Sequence, residues 1–198
     1  MAPKYADADP RTLRGIAHPL RATLLYELYA RGSATATTLA EAAGQPVNSV
    51  SFHLRQLAKY GLIEDDPDAG GQPRTDARQR WWRPAATDGL RVEEKELSRT
   101  AEGRASLAVF HRTAVQHWQA LVTRFFSRHE DTGEVWAASD VPMLLTDEEA
   151  KACSEEVLAV LRRWLDHGKA AASTAEVEAP RRTYLAVSML MPHQTDLD

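Results

Sequence analysis

The chain has 198 residues, 43% of them hydrophobic and 26% charged, enough to bury one real core and to carry a second small unit. Its formal net charge is −4, which argues against a partner held by bulk charge alone. No apolar run approaches the ~20 residues of a membrane helix. The single cysteine, Cys153, excludes an internal disulfide and fits a reducing, cytoplasmic setting.

The opening MAPKYADADPR is polar, so it is no signal peptide, and it is expected to be mobile. Helical spacing then runs over Arg11–Ala17 and Leu20–Ala30, with His18-Pro19 as the break between them. Leu13, Ile16, Leu20, Leu24 and Leu28 recur every three or four residues and read as core. His18, beside a proline, is expected to cap the junction and not to hold a ligand.

A short helix over Thr35–Ala43 ends at Gly44, and a second opens with Pro46 in its first turn, where a missing N–H costs nothing. The second helix closes at Gly61. At about 100° per residue, Val47, Val50, Leu54, Leu57 and Ala58 share one side, the expected core face. The other side carries Asn48, Ser49, Phe52, Arg55, Gln56 and Lys59, with Ser51 and His53 on the flanks. Such side chains hydrogen-bond base edges, reach phosphates or meet a thymine methyl. A solvated helix face has a similar composition, so position decides the matter: this helix follows a tight turn and precedes a hairpin.

The hairpin spans Glu64–Pro84. It begins with acidic Glu64, Asp65 and Asp66, turns through a Gly/Pro-rich tip, and returns through Arg78, Arg80, Trp81, Trp82 and Arg83. Arg74, Arg78 and Arg80 are the candidates for phosphate or minor-groove contact. Side chains alternate along a strand, so one of the two tryptophans should close the small core while the other faces away.

Two short helices, a tight turn and a hairpin make a winged helix-turn-helix, whose second helix ordinarily enters the DNA major groove. The stretches HPLRATLLYEL, ATTLAEAAG, VSFHLRQLAKYGLIE and RWWRP resemble the winged-helix repressors of the arsenic-resistance (ArsR-type) family. The resemblance covers about residues 11 to 86. It implies that Asn48, Ser49, Ser51, Phe52 and His53 approach DNA and that the hairpin lies along the backbone or minor groove. Phe52 departs from the arginine often found there, which changes the base preference expected of that contact. Charge agrees with this division: residues 1–86 carry a net +2 and residues 87–198 a net −6. The mild basic excess implies binding by a dimer, with marked salt sensitivity.

Arg91–His129 reads as one long helix. Its apolar face, which includes Phe110, Trp118, Leu121 and Phe125, is too wide for one small domain. Symmetric dimerisation through those four residues is the expectation, because a palindromic operator needs two recognition helices about 34 Å apart. Glu134–Ser139 is strand-like. Thr146 and Glu149 form a capping box opening a helix that buries Val157, Leu158, Leu161 and Leu165 and stops at Gly168. Thr183–Met191 alternates as a strand and should pair with the segment around Trp136.

Chemistry finds little support. The recognition helix has Phe52 and His53 where a thiolate pair would be needed, and Cys153 is alone in the sequence. His111 and His117 stand about 600° apart around a helix and do not share a face. His129, Glu130 and Asp131 read as solvated charge. No phosphate loop, nucleophile elbow or catalytic carboxylate pair is present. The expectation is no metal, no cofactor and no enzyme activity. Trp118, Trp136, Trp164, Tyr184 and Met189 are the candidates to line a pocket for a small apolar effector, although plain core is the simpler use of such residues.

The sequence thus predicts a mainly α, α+β protein: a winged helix-turn-helix DNA-binding domain over 1–86, then a long dimerisation helix and a small C-terminal α/β unit over 87–198. Its function is expected to be that of a cytoplasmic, homodimeric, sequence-specific transcription regulator, a repressor, bound to double-stranded DNA and not to membrane. The competing reading is a winged-helix protein-interaction module that does not bind DNA on its own. The two separate on whether Arg74, Arg78 and Arg80 join Arg55 and Lys59 on one surface or pair with Glu64, Asp65 and Asp66.

Overall fold

The computed structural model describes residues 5–67, 69, 80–87, 89–127, 135–173 and 181–192. The chain divides into two compact units, Met1–Thr132 and Gly133–Asp198. The division falls well beyond the expected boundary at 86, because the long helix that follows is built into the first unit.

The first unit opens with strand β1 (Ala6–Asp7) and helix α1 (Pro10–Ile16). Asp9 starts α1 with a capping box: its carboxylate accepts the Thr12 N–H at 2.6 Å, and its own N–H donates to the Thr12 hydroxyl at 3.0 Å. Helix α2 (Pro19–Arg31) has His18 as N-cap, Nδ1 accepting the Leu20 N–H at 3.2 Å, as the His-Pro junction leads one to expect. Strand β2 (Ala34–Thr35) runs into α3 (Ala36–Ala43), and a tight turn leads to α4 (Val47–Lys59). Strands β3 (Ile63–Asp65) and β4 (Trp81–Pro84) follow, then β5 (Leu90–Arg91), α5 (Glu94–Leu97) and α6 (Ala101–Phe126).

One antiparallel sheet has the order β2-β4-β3, with Ala34 opposite Trp82 and Ile63 opposite Pro84. Its inner face and helices α2, α3 and α4 enclose the main core, where Leu24, Leu28, Leu39, Val50, Leu54 and Leu57 are fully buried. Trp82 is buried there and Trp81 only half-buried, the alternation expected of a strand. This helix-rich α+β arrangement is a winged helix-turn-helix.

Three expectations for this unit need correction. The N-terminal segment is not loose throughout: Ala6 and Asp7 pair in parallel with Leu90 and Arg91. Strand β2 was not expected, because Ala34-Thr35 is too short to show a period of two. The span Arg91–His129 is not one helix, since β5, α5 and a break at Ser98–Thr100 precede α6. Two local signals explain the break. Thr100 caps α6, its hydroxyl accepting the Gly103 N–H at 2.9 Å. At Gly103 the backbone meets the end of α5 so closely that a Cβ would overlap the Leu97 carbonyl. A second small core of Leu13, Leu97 and Leu107 then fixes α6 against α1.

The second unit contains α7 (Asp147–Ser173). The Thr146–Glu149 capping box is present: the Thr146 N–H donates to the Glu149 carboxylate at 2.8 Å, and the Glu149 N–H to the Thr146 hydroxyl at 3.2 Å. The helix does not stop at Gly168. A glycine inside a helix costs ~1 kcal/mol, too little to end one that continues through Lys169 and alanines. Val157 and Leu158, expected inside, are exposed, whereas Leu161 and Leu165 are half-buried. The expected strands are also absent among the described residues: neither 135–140 nor 181–192 pairs in a ladder. Alternation alone does not make a strand, because the backbone needs a partner edge.

Candidate nucleic-acid interface

The helix-turn-helix is shaped by two glycines. Gly44 (φ 60°) ends α3 and Gly61 (φ 74°) follows α4, both in the left-handed region. Each closes its helix with the same pair of hydrogen bonds. Gln45 N–H reaches the Ala40 carbonyl at 3.0 Å and Gly44 N–H the Glu41 carbonyl at 3.3 Å; Leu62 N–H reaches Leu57 and Gly61 N–H reaches Ala58, both at 3.0 Å. Pro46 stands at the N-cap of α4, one position before the first turn. Arg11 braces the other end, donating from Nη2 to the Lys59 carbonyl at 2.6 Å. This brace was not legible in the sequence, since 48 positions separate the two residues.

Val50, Leu54 and Leu57 anchor the inner face of α4, whereas Val47, assigned to the core by its wheel position, is exposed. It is the first residue of α4. On the outer face Asn48, Phe52, Arg55 and Lys59 are exposed, and Ser49, Ser51 and Gln56 are half-buried. The Asn48 carbonyl oxygen accepts the Ser49 N–H at 2.8 Å, which orients its amide group. Phe52 is 50% exposed. A half-open aromatic ring on a polar helix face has no role in the core of this unit, which makes it a candidate contact surface.

His53 is turned partly inward. Its ring lies 4.5 Å from that of His18 and stands edge-on to Phe52 at 5.2 Å. Among the described residues its Nδ1 is buried without a hydrogen-bond partner. Partial burial, then the neighbouring His18 and Arg21, hold the imidazole below its ordinary value. His18 is lowered as well, by burial first and by Arg21 second. Arg21 is itself engaged, donating to the Arg14 carbonyl at 3.0 Å and to that of Gly15. His53 therefore couples the recognition helix to the start of α2, a function that its flank position did not reveal.

The wing divides the remaining candidates. Arg74 and Arg78 lie outside the described residues. Arg80 donates to the Asp65 carboxylate at 3.3 Å, and its guanidinium sits 4.0 Å over the Trp82 ring. Arg83 hydrogen-bonds Glu64 at 2.8 Å and forms a looser ion pair with Asp66 at 3.6 Å. The base of the wing is thus laced with ion pairs between β3 and β4, while Arg55 and Lys59 stand exposed on α4.

The residues proposed for dimerisation fall into two groups. Phe110 packs against the Leu13, Leu97 and Leu107 cluster and so belongs to the chain's own body. Trp118, Leu121 and Phe125 are half-buried on the later part of α6, beside exposed Val115, Val122 and Phe126. His111 bonds Glu94 at 3.0 Å and His117 stacks near Tyr26 at 5.6 Å, so the two histidines are engaged separately. His129, Glu130 and Asp131 lie outside the described residues. Among the described residues no three His, Cys, Asp or Glu side chains gather as metal ligands, and no helix is long and apolar enough to cross a membrane. Of the effector-pocket candidates, Trp118 belongs to the first unit and Trp136, Trp164, Tyr184 and Met189 to the second. Trp164, Tyr184 and Met189 are each more than 60% exposed, too open to line a closed cavity.

The family comparison agrees with the helix-turn-helix part of this architecture. A family model described as a helix-turn-helix domain matches residues 16–66, from the end of α1 to the strand after α4. Among solved structures the chain is similar to the homodimeric winged helix-turn-helix DNA-binding domain (fragment 1–100) of Mb0332 from Mycobacterium bovis, described as a possible ArsR-family transcriptional regulator. The two are 20% identical, the match covers 61% of this chain and 84% of that one, and the TM-score is 0.32. No protein of curated function matches the chain significantly.

Proposed function

We propose that the protein is a DNA-binding transcription regulator of ArsR type: a homodimeric repressor that reads a palindromic operator and works without bound metal or catalysis. The observation that carries this reading is the outer face of α4. It presents Asn48, Phe52, Arg55 and Lys59 to solvent on a helix anchored by a buried inner face and a closed C-terminal end. In this reading Asn48, Ser49, Ser51, Arg55 and Gln56 meet base edges, Phe52 meets thymine methyls, and Lys59 meets phosphate. Arg74, Arg78 and Arg80 serve the backbone. Residues 1–86 supply the reading head; residues 87–198 supply the dimer contact through Trp118, Leu121 and Phe125, and any regulatory input.

A second reading is favoured by the ion pairs of Arg80 with Asp65 and Arg83 with Glu64, which neutralise the base of the wing. A winged module of that kind would bind a protein and not DNA. Selection of bound fragments from random double-stranded DNA separates the two. Enrichment of a palindrome with half-sites one helical turn apart is expected for the regulator, whereas retention without enrichment, or no retention, supports the interaction module.

A further inference from the structure

Helix α1 is only seven residues long, yet both of its sides are occupied. At about 100° per residue Arg11 and Gly15 share one side, and Leu13 lies roughly opposite both. The Leu13 side meets α5 and α6. Leu13 is fully buried against Leu97 and Leu107, and Arg14 forms an ion pair with Glu102 on α6.

The other side meets the end of α4. Arg11 donates to the Lys59 carbonyl at 2.6 Å. The Gly15 backbone comes so close that a Cβ there would stand 2.7 Å from Leu62 Cδ1 and 2.8 Å from Tyr60 Cβ. Arg21 ties the two ends together. It donates to the Arg14 carbonyl at 3.0 Å and to that of Gly15, and its guanidinium lies 5.8 Å from the centre of the Tyr60 ring. Ile16 packs against both hydrophobic cores.

The charge of Arg11 suits its place. The last carbonyls of a helix lack partners within it and form the negative end of its dipole. Arg11 is nonetheless exposed, so its side chain adds little to the core.

We propose that α1 is a strut fixing the bearing of α4 on α6, with Arg11 as its positioning residue. In a dimer joined through α6, that bearing sets how far apart the two reading helices stand. This last step rests on the DNA-binding reading, whereas the strut itself does not. A shift of α6 against Leu13 and Arg14 would pass through α1 to Lys59, Tyr60 and Leu62, because tightly packed elements move together.

Distances within the full-length chain test the strut without DNA. Spin labels at Arg55→Cys on α4 and Arg112→Cys on α6, in a Cys153→Ser background, report the bearing. Dilution into unlabelled chain confines the measurement to one subunit. A single narrow distance distribution is expected while Arg11 is in place. Arg11→Ala should broaden or shift it with the melting temperature nearly unchanged, and Arg11→Lys, which keeps a cationic donor, should restore it. A distribution unaltered by Arg11→Ala overturns the strut. Loss of folding in that variant overturns the positioning role in favour of a stabilising one.

Selection from random DNA with unlabelled protein then tests the consequence. The unaltered chain should select half-sites at one spacing. Arg11→Ala should relax that spacing, keep the base preference within each half-site and lower operator affinity several-fold. Its salt slope should stay the same, because a contact to a carbonyl neutralises no phosphate. A flatter slope with unaltered spacing overturns the positioning role and makes Arg11 a phosphate contact. If the unaltered chain selects no palindrome, the DNA-binding reading falls and the link to spacing with it, while the label distances still decide the strut.

Discussion

The rings of His18 and His53 lie 4.5 Å apart, one capping α2 and the other on α4, with Arg21 close to both. Burial and the positive neighbour hold both imidazoles below 6.5, so the folded protein binds fewer protons here than the unfolded chain does. The sign follows directly. The contribution is whole above the unfolded value near 6.5 and is lost as pH falls through and below it. Thermal melts should therefore show stability falling from about pH 6.5 downward. His18→Asn keeps a capping acceptor while removing one titrating ring, and it should flatten that slope. An unchanged slope in this variant would show that the pair does not control the acid limb.

Much of this centre was legible in outline and its contacts were not. The His-Pro junction predicted a cap at His18, and the capping box at Thr146 was equally plain, because both signals are local in sequence. The approach of His18 to His53, the Arg11 brace on Lys59 and the pairing of β1 with β5 join residues far apart in the chain. Periodicity carries no record of such contacts. The C-terminal strands failed for the opposite reason: alternation at Leu185, Val187 and Met189 was clear, but 181–192 has no paired edge among the described residues. Exposed Val157 and Leu158 failed because a wheel gives the apolar side of a helix and not what covers it.

Base reading should rest on α4. Asn48→Ala and Arg55→Ala are each expected to weaken binding to a selected operator by ~1–3 kcal/mol and to relax preference at one half-site position. Affinity for unrelated DNA should change much less for Asn48→Ala, which removes no charge. Competition titrations against randomised half-sites check this. Equal losses on operator and random DNA for Asn48→Ala would remove it from the reading face.

The Arg80–Asp65 pair makes the wing tunable. At 3.3 Å and half-exposed, this ion pair contributes little to stability, about 0–1 kcal/mol. It nonetheless occupies a cation that would otherwise serve phosphate. Asp65→Asn should release Arg80 and tighten binding to all sequences alike. The slope of log K against log salt should then steepen by ~0.9 per subunit for each phosphate gained. Arg80→Ala should move both quantities the other way or leave them unchanged, never steepen the slope. Binding measured across a salt series distinguishes these outcomes, and an unaltered slope for Asp65→Asn would exclude a phosphate contact by Arg80.

The join between α5 and α6 should tolerate no side chain. A methyl group on Gly103 would overlap the Leu97 carbonyl and crowd the Thr100 hydroxyl that caps α6. Gly103→Ala gains helix propensity of ~1 kcal/mol at an ordinary helical site. Here the clash should outweigh that gain and give net destabilisation of ~1–3 kcal/mol, the range for overpacking. A stabilised variant in denaturant melts would mean that α5 can shift freely away from α6.

Two aromatic residues on α6 should respond oppositely to the same change. Phe110 packs against the chain's own cluster of Leu13, Leu97 and Leu107, whereas Phe125 lies on the later part of the helix beside exposed Val122 and Phe126. Burying one such side chain contributes ~1.5–3 kcal/mol, so a charge at either position removes a comparable amount from whichever contact it serves. Phe110→Glu sets a carboxylate against this apolar cluster and should loosen α6 from α1, lowering the melting temperature and broadening the transition. Phe125→Glu should leave the melting of the winged unit nearly intact and shift sedimentation from dimer to monomer at micromolar concentration. Operator affinity should fall with it, because one subunit then contacts only one half-site and loses the doubled phosphate contacts. A Phe125→Glu protein that sediments and binds as the parent does would move the dimer contact away from α6.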